Sequence, residues 1–457
     1  MSCLVSILEK VREVLGHLTL CPNCLGRQYG TLLSATSNQA RGEALLLSTG
    51  MELLQSVIAG QGSPEDFGPL LRTGFPPLLT VTKRFGALDE REDCRPRPCY
   101  ICEGLFDEDR LGEVVQRIGQ ASGGYEFRSF LVGCHFPASM VEREEEVRAR
   151  FGLSHGEAFK SEFNREVGKR VLQLWPTKEV EFDRPEILFI VDLSSFDVEV
   201  NSNPLFVEGS YRKLVRGIPQ STWHCGHCRG KGCATCNQTG RNYPDSVEEY
   251  VCTPIQEAAG GWEVKFHGSG REDVDALMLG SGRPFVVEVS KPRVRSLDLA
   301  TLERRINVAA GGRVDVVLTR VSERMMVRQI KGQSRQMAKR YKMKVLLDQP
   351  VDWEEMLGKI HAQMVGKVNQ QTPRRVLHRR ADLTRVRRVF DFKVEPLSPV
   401  LAEVEVHGEG GLYVKELVNG DEGRTSPSLS ALLGIGVAVQ YLDVLAVESG
   451  VPASGPS

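Results

Sequence analysis

The chain has almost no net charge, no long apolar run and no nucleotide-binding glycine fingerprint, and each absence excludes something. Over 457 residues, 58 Lys and Arg nearly balance 59 Asp and Glu, for a formal charge of -1. Attraction to a polyanion therefore has to come from a local field rather than from the whole molecule. No apolar stretch approaches the roughly 20 residues of a membrane-spanning helix. The first twenty residues are amphipathic, broken by Glu9, Lys10, Arg12 and Glu13, and do not read as a secretory leader. A cytoplasmic address with no membrane partner is expected. Gly311-Gly312 is an isolated pair without the rest of a cofactor-binding turn, which argues against an enzyme that uses a nucleotide-type donor.

A disulfide framework is missing as well. Of 12 cysteines, eight fall in four Cys-x-x-Cys pairs, a spacing that sets two thiolates on one metal from a tight turn. Cys225, Cys228, Cys233 and Cys236 lie within twelve residues, with glycines between them. They suffice for one structural zinc, and four thiolates leave no open coordination position. His224 and His227 are read as bystanders. Cys21 and Cys24 need two further ligands, and the next close pair is Cys99 and Cys102, so a second zinc is expected there, with Cys94 as a competitor.

With 41% hydrophobic and 26% charged residues, the chain is long enough for two or three domains. Helical spacing opens at Leu4, Ile7, Leu8, Val11 and Leu15 and returns at 39–59. Strands are expected at 127–132, 186–191 and 196–200, with one or two helices over 140–175. Farther on come a helix at 297–308, a strand at 314–321 whose continuation 325–331 turns basic, a half-buried strand at 338–348 carrying Tyr341, and a helix at 353–365. From Arg324 to Lys393 there are eighteen Lys/Arg against six Asp/Glu. The stretches 372–382 and 384–390 are the most basic, and their alternation with apolar residues suits sheet edges that also grip phosphates. Residues 449–457 read as a disordered tail. The expected fold class, which the family resemblance given below implies, is α+β, a mixed and largely antiparallel catalytic sheet behind an α/β accessory region. Three segments are expected: 1–75 helical with a zinc knuckle, 76–215 accessory, and 216–457 catalytic, with the four-cysteine loop inserted at 225–236.

The chain is organised around Phe266 to Phe285, where two Gly-rich hinges bracket Arg271-Glu-Asp-Val-Asp275 and a strand follows at 284–289. Such a segment is a loop delivering carboxylates into a cleft.

Arg184-Pro-Glu-Ile-Leu-Phe-Ile-Val-Asp192, followed by Pro204 to Leu214, resembles a THUMP-type RNA-binding domain. Gly270-Arg-Glu-Asp-Val-Asp275, Gly282-Arg-Pro-Phe285, Lys339-x-Tyr341, Thr372-Pro-x-Arg375, His378-Arg-Arg-Ala-Asp382, Tyr413-Val-Lys415-Glu and Gly420-Asp-x-Gly-Arg-Thr425 together resemble the archaeal-type tRNA pseudouridine synthase family numbered ten, over nearly the whole chain. The resemblance implies an isomerase that turns uridines 54 and 55 of the tRNA T arm into pseudouridine without an organic cofactor, and a monomer is expected. It implies Asp273 as nucleophile ahead of Asp275, Tyr341 against the target base and able to serve in proton removal, and Lys415 paired with the nucleophile. Tyr341, Tyr413, Arg271, Arg375, Arg379 and Arg424 are the implied substrate contacts. The chain departs from the family pattern at Leu277, Leu412 and Asn419, which weakens readings of the loop contacts to RNA. Two rivals stay open: another THUMP-bearing tRNA enzyme such as a methyltransferase or thiolation enzyme, and a non-catalytic RNA-binding zinc scaffold.

Overall fold

A computed structural model describes residues 6–448 apart from 34, 86–87, 89–90 and 334–336, and does not describe the side chains of Thr82, Gln333 and Arg379. Leu4 and the segment 449–457 thus lie outside the described residues. The chain divides into two compact units, Met1–Asn203 and Pro204–Ser457.

The first unit opens with a helix, Ile7–His17, whose start is set by sequence: Ser6 accepts from the Glu9 backbone, and the Glu9 carboxylate accepts from the Ser6 backbone. Val11, Val14 and Leu15 turn inward. The long helix Asn38–Ile58 matches the second helical stretch. The residues from Met140 to Trp175 form two helices, Ala138–Phe151 and Phe159–Leu174. They share a core with a four-stranded sheet ordered Glu179–Val180, Ser129–His135, Ile187–Asp192, Val198–Ser202. The first three strands are parallel and the last antiparallel. Burial alternates along Ser129–His135 and Ile187–Asp192, so one face of the sheet carries the core. Trp175 closes that core with its ring 5.0 Å from Phe127 and 5.5 Å from Phe130.

The second unit is built on a ten-stranded sheet. Its order is Thr425–Ser426, Gly366–Gln371, Thr384–Ser398, Leu401–Gly408, Ala338–Leu347, Val437–Glu448, Leu277–Ser290, Leu205–Lys213, Val314–Ser322, with Glu263–Gly268 pairing on Leu277–Ser290. All pairings are antiparallel except one, where Asp443 and Val444 run parallel beside Leu277 and Met278. The Arg271–Asp275 loop enters the sheet at that parallel junction, near the middle of the strand order. The strand Leu205–Lys213 pairs wholly inside this sheet.

Three expectations fail here. The second glycine hinge does not exist: Gly280 and Gly282 sit inside the strand Leu277–Ser290. Both have positive φ, and an added Cβ would lie 2.0 Å from the Leu445 carbonyl oxygen at Gly280 and 2.8 Å from that of Tyr211 at Gly282. They are glycine so that neighbouring strands can approach. The basic continuation 325–331 is a helix, Arg324–Gln333, because Met326, Val327 and Ile330 recur at helical spacing and pack on Phe206 and Val286. The basic strip is not a sheet edge either. Residues 374–379 make a 3-10 turn, and Thr384–Ser398 is an interior strand between Gly366–Gln371 and Leu401–Gly408.

Candidate active site

The Arg271–Asp275 loop is sorted residue by residue. Arg271 is exposed, Glu272 buried, Asp273 half-buried and Asp275 exposed. Beneath the loop the Glu272 carboxylate, with 1% side-chain exposure, is held by Arg283 Nε at 2.8 Å, accepts from the Tyr211 hydroxyl at 2.8 Å, and has the Lys213 ammonium 4.0 Å away. A buried carboxylate is tolerable only when so paired. Burial works against charge on Arg283, but Glu272 more than compensates and the guanidinium is held more firmly protonated than usual. At Lys213 burial prevails, and its pKa is lowered.

The loop backbone is gripped nearly carbonyl by carbonyl. Arg283 donates to Ser269 O at 2.7 Å and Gln220 Nε2 to Gly270 O at 3.0 Å. Lys213 Nζ donates to Asp273 O at 3.0 Å and Val274 O at 3.1 Å, and Arg216 to Asp275 O at 2.7 Å. Asp443 ties in the far end by accepting from Leu277 N at 3.2 Å while pairing with Arg216 at 2.6 Å. These donors satisfy acceptors that a turn would otherwise present to water, and they fix the direction of the Asp273 side chain.

Lys415, on the helix Val414–Asn419, reaches Asp273 Oδ2 at 3.1 Å and Asp275 Oδ2 at 3.3 Å. Arg375 stands 3.9 Å from the same Asp273 oxygen, braced by Glu416 at 2.7 Å. Asp273 thus meets two cations at 41% side-chain exposure, and Asp275 meets Lys415 at 62%. Tyr341 lies on the strand Ala338–Leu347, 8% exposed, with Val406 and Val444 as its strand neighbours. Burial pushes its hydroxyl up to about 12, Arg283 partly offsetting and Asp273 adding to the rise. Lys339, two residues earlier and therefore on the same strand face, is also buried, and desolvation, reinforced by the Arg283 charge, draws its ammonium down to about 8.

The remaining expected contacts divide. Tyr413 caps the helix that carries Lys415, its backbone held at both polar atoms by Gln370 and its hydroxyl accepting from Arg380 at 3.1 Å. Arg424 is spent on structure, donating to Thr372 O at 2.9 Å and pairing with Asp382. Arg271 lies over the Trp223 ring, 5.2 Å from its centroid. The side chain of Arg379 lies outside the described residues. Lys213, Gln220, Glu272, Arg283 and Glu416 were not singled out from sequence as site residues. Each is charged or polar yet buried or braced against the loop, and only long-range pairing reveals that.

Both cysteine sets converge. The four ligand atoms of Cys21, Cys24, Cys99 and Cys102 lie within 4.8 Å of one another, as do those of Cys225, Cys228, Cys233 and Cys236. Cys94 is not in either set. Sulfur separations of 3.6 Å (Cys21 to Cys102), 4.0 Å (Cys225 to Cys233) and 3.7 Å (Cys233 to Cys236) match the edge of about 3.8 Å that a tetrahedron with metal–sulfur bonds of about 2.3 Å requires. Burial opposes ionisation of Cys236, but backbone N–H groups of Cys233 and Gly240 aimed at its sulfur draw the thiol down to about 6. In the first unit the buried Arg27 donates to Cys24 Sγ at 3.5 Å and to Glu144 and Glu162 at 2.8 and 2.9 Å. Either set can hold a metal ion.

The family model "Pus10, C-terminal" matches residues 206–448, and "Pus10 THUMP domain, archaeal" matches 114–192. A protein of Halorubrum lacusprofundi named tRNA pseudouridine synthase Pus10 is 41% identical, over 97% of this chain and 97% of its own. Proteins of the same name from Methanothrix thermoacetophila and Methanothermobacter marburgensis are each 39% identical, over 99% and 95% of this chain and 96% of their own. Among the described residues, no helix is long and apolar enough to cross a membrane.

Proposed function

The chain belongs to the Pus10 family of tRNA pseudouridine synthases, and from that premise we propose that Asp273 is the nucleophile with which it isomerises uridines 54 and 55 of the tRNA T arm. The observation that carries this reading is a carboxylate on a loop pinned from below, 3.1 Å from Lys415 and electrostatically coupled to a buried tyrosine. Uridine and pseudouridine are isomers. The bond between N1 and C1′ breaks, the bond between C5 and C1′ forms, and the proton lost at C5 is balanced by one gained at N1. That balance calls for no donor cofactor. Asp273 attacks either C1′ or the base. Lys415 and Arg375 orient it, and Asp275 is a secondary partner of Lys415.

Tyr341 stacks on the extruded base. A hydroxyl with a pKa of about 12 stays protonated at neutral pH, which favours stacking over acceptance of the C5 proton. A uridine within a folded arm must leave its stack to reach Asp273. Tyr413 and the arginines of the 374–388 strip meet the flanking backbone, and the THUMP region adds RNA contact upstream. Zinc occupies both four-cysteine sets as a structural ion, since four thiolates leave no position for substrate. The protein acts as a cytoplasmic monomer.

The test is incubation of the full chain with an unmodified tRNA transcript, without donor cofactor, and mapping of pseudouridine. Product at the two T-arm positions is expected, with none from Asp273→Asn and a rate loss on the order of 10²-fold from Lys415→Met. Full activity in Asp273→Asn, or no product from the parent chain, overturns the reading.

A further inference from the structure

We propose that the Cys225–Cys236 hairpin is a positioning device for the catalytic loop, acting through Trp223 on Arg271. The proposal rests on the reading of Asp273 as nucleophile and deepens it. The hairpin leaves the sheet after Lys213 and returns at the helix Val247–Ala259. Its stem is closed by a bridge between His224 and Arg241, by Asn242 N donating to Trp223 O at 2.9 Å, and by Cys225 N donating to Gly240 O at 2.8 Å. Its root is fixed to the start of that helix. Thr222 N donates to Glu248 at 3.2 Å, the Thr222 and Ser246 hydroxyls lie 3.2 Å apart, and Arg241 pairs with Glu249.

Between stem and root, Trp223 is half-buried. One contact of its ring is the edge of Tyr243, with centroids 5.5 Å apart and planes at 76°. Another is the guanidinium of Arg271 at 5.2 Å. Arg271 lies two residues before Asp273. Three residues before Trp223, Gln220 donates to Gly270 O at 3.0 Å and to the Tyr211 hydroxyl at 2.8 Å. One short segment therefore holds the loop at two consecutive positions, Gly270 through its backbone and Arg271 through its side chain.

Beyond these hydrogen bonds and turns, the hairpin has almost no packing to hold it in shape. Between Cys225 and Gly240 those two residues alone are buried among the described residues, and no apolar side chain of the stretch joins the core of the unit. With so little burial, four thiolates on one ion are what would define the stem and hence the angle of Trp223. A closed tetrathiolate ion offers no site to substrate, so its contribution to the reaction is mechanical.

The test uses full-length protein labelled with 5-fluorotryptophan, whose four tryptophans give separate ¹⁹F signals, with that of Trp223 identified by its loss in Trp223→Phe. The Trp223 signal is expected to move in Arg271→Ala and in Cys236→Ser, while the other three stay in place. With tRNA under single-turnover conditions, Trp223→Ala and Arg271→Ala are each expected to slow pseudouridine formation about three- to tenfold, with Kd within about twofold. The double variant should be no slower than the slower single variant, and Trp223→Phe should restore most of the rate. A raised Kd with unchanged rate in Trp223→Ala would make the ring an RNA contact and overturn the proposal. Additive losses in the double variant, or a Trp223 signal unmoved by Arg271→Ala, would overturn it too. The ¹⁹F measurement reads the Trp223–Arg271 coupling even if the parent chain forms no pseudouridine, so failure of the catalytic reading and failure of this one are told apart.

Discussion

Two neighbouring carboxylates, Glu272 and Asp273, show how position divides labour between like side chains. Glu272 is sealed beneath the loop between Arg283, Lys213 and Tyr211, whereas Asp273 stands in a partly open cleft before Lys415 and Arg375. The buried group fixes the loop, and the more open one faces the two cations. Lys339 shows the cost of burying a cation beside that arrangement. Burial, then the Arg283 charge, brings it from its ordinary 10.5 to about 8, with Glu272 partly opposing. A lysine whose folded pKa lies below its unfolded one carries its full penalty at pH below about 8. The penalty is relieved as pH rises towards 10.5, because over that interval the unfolded chain holds more protons. The penalty is on the order of 3 kcal/mol. Lys339→Met is therefore expected to melt several degrees above the parent chain at pH 7, with the gap narrowing as pH rises from 8 to 10. Thermal denaturation across that range checks it, and a gap independent of pH would show that desolvation of this ammonium is not its source.

At the scale of elements, periodicity carried the reading where one face of a segment is apolar, as in the strands Val314–Ser322 and Ala338–Leu347 and the helix Asn38–Ile58. It failed where neighbours decide. Charge along 325–331 drew attention away from the helical spacing of Met326, Val327 and Ile330. The alternation in 384–390 announced a strand but could not say that both its edges are paired. The Arg271–Asp275 loop was legible because its carboxylates lie close together in sequence. Its clamps were not, because Lys213, Arg216 and Gln220 arrive from some fifty residues or more upstream. Gly280 is the sharpest case, since a glycine looks the same in a hinge and in a close strand crossing. Gly280→Ala is expected to destabilise the protein by about 1–3 kcal/mol, through a Cβ 2.0 Å from the Leu445 carbonyl oxygen and a strained positive φ. Denaturant unfolding checks it. A hinge would instead lose turnover while keeping stability.

At the scale of the whole molecule, a formal charge of -1 has to be reconciled with a polyanionic substrate. The resolution lies in which arginines are already spent. Arg374, Arg375 and Arg424 pair with Glu422, Glu416 and Asp382, so their charge is largely balanced. Arg380, Arg385 and Arg387 instead donate to the Tyr413 hydroxyl, the Thr372 hydroxyl and the Val386 carbonyl, which leave their positive charge intact. Arg385 and Arg387 stand opposite Gln370 and Val368 across the strand pair, on the face from which Gln370 holds Tyr413. A backbone phosphate beside the target nucleotide would meet them there. Each phosphate contact steepens the fall of log K with log salt by about 0.7–0.9. Arg385→Gln combined with Arg387→Gln is therefore expected to make the slope for tRNA binding shallower by about 1.5, and to weaken binding more at low salt than at high salt. Arg374→Gln, whose partner Glu422 already offsets its charge, should change the slope far less. Filter binding across a salt series decides between a strip that holds RNA and a solvated face, for which all three substitutions would leave the slope alone.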